Sequence, residues 1–230
     1  VDYVIGRKLS QKYRFSEGAE YQRRSIGFDK SFMPAQVQLA QDLLRLGDVE
    51  EGWERAELVF DVDGYNVVAH NLVRLQQSMQ KFHTLENADF LVRMDAHEAA
   101  LYGQHVLHLL DRAKQHLCRK YDVVINEPVT VEIFPQQQDF AIRTFGLPGG
   151  AGFLGVCFGR VITANSPASQ GDQPSNLDSV LWHEFCHVVT LQKTRNRMPR
   201  WLSEGISVYE ERQANEAWGQ SMDPVNRKMI

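Results

Sequence analysis

The sequence predicts an α+β fold preceded by short helical hairpins. Three observations predict it. Helical stripes of apolar residues run between residues 34 and 83. Two strand-like runs, "DFLVRMD" at 89–95 and "VTVEIFP" at 129–135, flank one long amphipathic segment. Strands and helices then mix without the steady alternation of a βαβ protein.

Taken in order, residues 1–33 are polar and irregular, with no clear period, and are expected to form an extended arm. Pro34 opens "PAQVQLAQDLLRLGD", a helix with Pro in its first turn and Gly47 near its end. "VEEGWERAELVF" follows, and Asp63-Gly64 marks a turn. Val68, Leu72, Leu75, Met79 and Phe82 then recur at steps of four and three, the stripe of a third helix. A long helix over 96–120 carries Tyr102, Val106, Leu109, Ala113 and Leu117 on its buried side. His97, His105, His108 and His116 fall on its other side, where a solvent-washed face is expected and a second metal pair is the sharper alternative. "VTVEIFP" alternates with period two and stops at Pro135, and "DFAIRTFG" is a short helix. The glycine-rich loop at 147–152 lacks the Gly-Lys-Ser/Thr ending of a phosphate loop. "GFLGVCF" and "RVITAN" read as two strands about Gly159-Arg160.

A chain of 230 residues can build one sizeable core with an appendage. Its net charge of -4, with both signs interspersed, lacks the basic footprint of a nucleic-acid binder. No apolar run is long enough to span a bilayer. Cys118, Cys157 and Cys186 are too far apart for a Cys-x-x-Cys knuckle and too few for a disulfide framework. Buried thiols in a reducing, cytoplasmic compartment are expected, although a chain opening at Val1 is compatible with a removed signal peptide.

The chemistry concentrates in "LWHEFCHVVTLQ", residues 181–192. Positions four apart on a helix share a face, so His183 and His187 can close on one ion. Glu184 projects beside them, where a carboxylate can take a proton from water. Cys186 is one step off that face and is expected in the core. A catalytic zinc site usually needs a third protein ligand. Thr190 and Lys193 stand where a metzincin needs Gly and His, which excludes that arrangement. "PRWLSEGISVYEE" offers Glu204 instead, with sixteen residues between it and His187, on a helix expected to run antiparallel with Leu202, Ile206 and Tyr209 facing the core.

His183-Glu184-x-x-His187, followed by Trp201-Leu202-Ser203-Glu204-Gly205-Ile206-Ser207-x-Tyr209-x-Glu211, resembles the gluzincin group of zinc metallopeptidases. It is most similar to the branch around the aminopeptidases and the peptidase MA-like domains attached to tetratricopeptide repeats. The Leu46-Gly47 corner, the Trp/Ala-bearing helix after it and the Tyr65-Asn66 start of the next are similar to tetratricopeptide-type hairpins. The resemblance implies an arm over 1–33, a helical extension over 34–83, and over 84–230 a zincin-like metallopeptidase N-terminal subdomain, a mixed sheet with an active-site helix. That last domain looks truncated, since gluzincins usually carry a further helical subdomain as the other wall of the cleft.

By that resemblance, His183, His187 and Glu204 hold Zn2+ and Glu184 is the general base. Peptide would lie along an edge strand over 152–158, touching Gly152, Phe153, Leu154 and Gly155. Tyr209 would donate to an oxyanion or pack beneath the site. Glu211 or Asp178 would orient a ligand histidine. The implied activity is hydrolysis of peptides or proteins. No Gly-x-Met-Glu-Asn-type amine anchor stands upstream, which leans towards an endopeptidase. The alternative is a catalytically incomplete metal-binding module whose helical region holds a protein partner.

Overall fold

The structure, a computed structural model, describes residues 1–172 and 175–218. It is an α+β fold in which N-terminal helical hairpins lead into a five-stranded mixed sheet with helices. The last residues of the domain expected over 84–230 lie outside the described residues.

The expected extended arm is instead helical: α1 spans Asp2–Ser10 and α2 spans Phe15–Phe28. These helices pack through small and polar side chains, which leave no hydropathy stripe. A Cβ on Gly18 would sit 2.3 Å from the Ser10 hydroxyl, and one on Gly6 would sit 2.8 Å from the Gly18 carbonyl oxygen. The three helices expected next are present as α3 (Met33–Leu46), α4 (Val49–Val62) and α5 (Val67–Met79). Gly47 ends α3 in the left-handed conformation that glycine tolerates best, and Asn66 caps α5 through the Ala69 amide. The third helix is shorter than its stripe suggested: Phe82 starts strand β1 (Phe82–Glu86), where it packs against Phe134.

The sheet runs in the order β1-β2-β3-β5-β4. Strands β2 (Phe90–Asp95), β3 (Val129–Phe134) and β5 (Val161–Asn165) are parallel, while β1 and β4 (Gly155–Cys157) are antiparallel edges. The expected strand at 152–158 is thus only three residues long, and 152–154 form a loop leading into it. On one face lie α6 (Ala96–Tyr121) and α8 (Leu177–Thr194), enclosing the main core of Phe90, Val131, Ile133, Leu110 and Phe185. The other face is covered by α7 (Gln137–Phe145) and helices α3 to α5, around Phe134, Phe140, Leu44 and Leu72. Here Arg143 reaches the wholly buried Glu132 at 2.6 Å and donates to the Leu44 carbonyl, which ties α3 to the sheet. Cys157 and Cys186 are buried and Cys118 half-buried, all three as thiols. Among the described residues no helix is long and apolar enough to cross a membrane.

One buried carboxylate fixes the first hairpin to the rest. Asp42 on α3 is fully buried, accepts a hydrogen bond from the Ser10 hydroxyl at 2.7 Å and another from Gln38 at 3.0 Å. Burial pushes its pKa up to about 6, against the opposing pull of Ser10 and Arg45. The folded chain therefore binds this proton more tightly than the unfolded chain. The stability it contributes is present at low pH and is lost as pH rises from about 4 through 6, by at most roughly 3 kcal/mol. Asp42→Asn, which keeps an acceptor for Ser10 but cannot ionise, should gain stability relative to wild type across that window. Urea midpoints at pH 4 and pH 7 measure it, and a constant difference between the two proteins would contradict this role.

Candidate metal centre

Helix α8 starts where Asn176 accepts from the Ser179 amide, and it buries Leu181, Phe185, Val188 and Val189 against the sheet. That packing fixes the rotation of the helix and turns His183 and His187 to the opposite side, into a cavity of about 960 Å³. Helix α9 (Arg200–Ala214) folds back against it. The two imidazoles and Glu204 meet there. His183 Nε2 lies 3.0 Å from His187 Nε2 and 3.2 Å from Glu204 Oε2, and His187 Nε2 lies 3.3 Å from that same oxygen. Ligands at zinc-typical bond lengths in a tetrahedron stand roughly 3.3 Å apart. The three donor atoms thus already have the spacing that one small tetrahedral ion requires.

Each ring is aimed by a contact to its other nitrogen. His183 Nδ1 hydrogen-bonds the Glu211 carboxylate, whose second oxygen accepts from the Ser179 hydroxyl at 2.6 Å. His187 Nδ1 meets the Ser203 hydroxyl at 2.8 Å and Ser207 at 3.3 Å. Acceptors at Nδ1 place the proton there and leave the Nε2 lone pairs turned to the shared point. Burial opposes charge on His183, yet the carboxylates of Glu204 and Glu211 prevail and push its pKa up to about 10. Hydrogen bonds from His183 and His187 hold Glu204 far below the usual carboxylate range. This is a site that concentrates negative charge around two imidazoles, the electrostatic setting of a cation site.

Glu184 lines the same cavity and is almost wholly buried. Burial raises its pKa, and the charges of His187 and His183 pull it back. Strand β4 lies hard against it: a Cβ on Gly155 would come within 2.7 Å of Glu184 Cγ. Gly152, Phe153, Leu154 and Gly155 all line the cavity. Asn165 pins this segment, donating from its side chain to the Phe153 carbonyl at 2.9 Å and from its backbone amide to the Leu154 carbonyl at 2.8 Å. Strand β4 pairs with β5 on one side and, among the described residues, keeps its other edge free.

Three expectations are corrected. Asp178 does not orient a ligand histidine; its carboxylate faces His105 on α6 at 2.8 Å, one turn too early on α8 to reach the centre. The same contact ties one histidine of the expected wet face to the protein. Tyr209 is half-exposed, lies outside the cavity lining and has Lys120 over its ring at 5.0 Å, so it neither reaches the site nor fills the core. Leu202 is also exposed, and only Ile206 of the expected trio packs inward. The face of α9 that turns inward is polar, made of Ser203, Ser207, Glu210 and Glu211, because those side chains find partners on α8 and α6. Ser203 and Ser207 were missed in the sequence. Their four-residue spacing around Glu204 was the available signal. Comparison with protein-family models, curated proteins and solved structures finds no match for this chain.

If Ser203 and Glu211 aim the rings, Ser203→Ala and Glu211→Gln should each weaken zinc binding about 10–100-fold. Asp178→Asn should leave it unchanged. Competition against a chromogenic chelator reads all three, and equal affinities across the set would contradict the assignment.

Proposed function

We propose that the chain is a zinc-dependent metallopeptidase of gluzincin type, its sheet and α8 forming a zincin-like subdomain. The observation that carries this reading is the convergence of His183, His187 and Glu204 on one point, with the buried carboxylate of Glu184 facing the same cavity. His183, His187 and Glu204 would hold the ion, and Glu211, Ser203 and Ser207 keep the two rings in position. A zinc ion held there supplies Lewis acidity, which lowers the pKa of a water and polarises the carbonyl of an amide.

Everything else falls to the chain's own residues. The free edge of β4 offers main-chain donors and acceptors to an extended peptide, a docking mode in which backbone hydrogen bonds give affinity. Gly155 lets that edge approach Glu184 closely, so a peptide seated on β4 passes beside the carboxylate. Glu184 takes the proton of the attacking water and hands it to the departing amide nitrogen. Burial raises its pKa, which strengthens it as an acceptor of that proton. The substrates are peptides or proteins.

Glu184→Gln preserves size and hydrogen bonding but removes the base. It should lower turnover of a mixed peptide library by about 100-fold or more while zinc content stays at the wild-type level. Full activity in this variant would end the proposal. Gly155→Ala tests the close approach independently: the added methyl should displace Glu184 and cut turnover, again with zinc retained.

A further inference from the structure

The N-terminal hairpin contributes part of the cavity's lining. Gln11, Lys12 and Tyr13, in the corner between α1 and α2, line the same space as His183, Glu184 and Glu204. Tyr13 has φ +61°, the left-handed region, which costs a bulky side chain free energy that glycine would escape. Its ring is locked in place. It packs against Phe15 at 5.4 Å and stacks on Phe158 at 6.5 Å and 27°, and both phenylalanines are buried. Ser10, three residues earlier, is held by the buried Asp42. A strained conformation held by its surroundings, at the lip of a cavity, is where functional side chains tend to be found.

The hydroxyl makes no hydrogen bond to another described residue, and on this half-buried side chain it is open to the cavity. Burial raises its pKa, so it is a neutral O–H donor across the ordinary pH range, and the charges of both Arg200 and Glu184 reach it. It shares the cavity with the proposed base, Glu184. Packing alone would be served by the ring; the O–H adds a donor that a ligand entering the cavity can take over from water.

We propose that Tyr13 contacts the substrate, its phenol donating a hydrogen bond to a carbonyl oxygen of the bound peptide, so that the N-terminal hairpin is a wall of the catalytic cleft. This rests on the peptidase reading above. A bond to the carbonyl under attack would strengthen as charge develops on the oxygen and would act on kcat. A bond to a flanking main-chain carbonyl would act on KM.

The test uses the full chain loaded with zinc and a peptide that the wild type cleaves, picked from a mixed library. Tyr13→Phe keeps the ring, its stack and its backbone, and removes only the hydroxyl. The expected result is a fall in kcat/KM of about 10–100-fold, with zinc content and melting temperature unchanged; a shift in kcat assigns the attacked carbonyl and a shift in KM a flanking one. Kinetics within twofold of wild type would overturn the inference and leave the peptidase reading standing. A zinc-loaded wild type that cleaves no peptide would overturn that reading, and this inference with it.

Discussion

Two imidazoles on one helix can share a cation only if something holds both rings still, and the buried polar face of α9 holds the rings of His183 and His187. Ser203, Ser207 and Glu211 cost free energy to desolvate, and each recovers it through a hydrogen bond to a histidine. Glu204 stands on the same helix, so one rigid element sets both the third donor and the orientation of the first two. A small rotation of α9 would unmake all of these contacts at once. The hydrophobic core cannot set that rotation, because α9 sends little apolar surface inward beyond Ile206.

The rotation is set instead by an ion pair. Glu210, adjacent to Glu211, is fully buried and accepts from Lys120 at 2.6 Å and from the Tyr121 hydroxyl at 2.5 Å, both at the end of α6. A buried carboxylate is strongly destabilising without partners and specific with them. Its partners lie on a helix that is itself buried against the sheet through Leu110, Ala113 and Leu117. A chain of contacts thus runs from the sheet through α6 to α9 and on to the rings on α8. At the other side of the cleft, the Ser10–Asp42 bond and the Arg143 pair do the same for the N-terminal hairpin.

What the sequence made legible follows from which forces leave a trace in hydropathy. Helix α6 and strands β2 and β3 bury continuous apolar faces, so their periods announced them. The convergence of His183, His187 and Glu204 was legible because their residue types and spacing are those a metal site would need. Helices α1 and α2 were not, because they meet through Gly6, Ser10, Gly18 and Gln22, which form no apolar stripe. β1 was hidden because Phe82 continues the helical spacing of α5 by coincidence. Serines that aim a ring look like any other serines, and the placement of Tyr13 depends on a corner that only tertiary packing forms.

The central claim is that three side chains from α8 and α9 share one cation, and X-ray absorption at the zinc edge tests it most directly. Protein reconstituted with zinc should hold one ion per chain, with a light-atom shell, the multiple-scattering signature of two imidazoles, and a nitrogen or oxygen ligand lost in Glu204→Ala. Failure to retain stoichiometric zinc, a sulfur ligand, or a spectrum indifferent to the Glu204 substitution would contradict it.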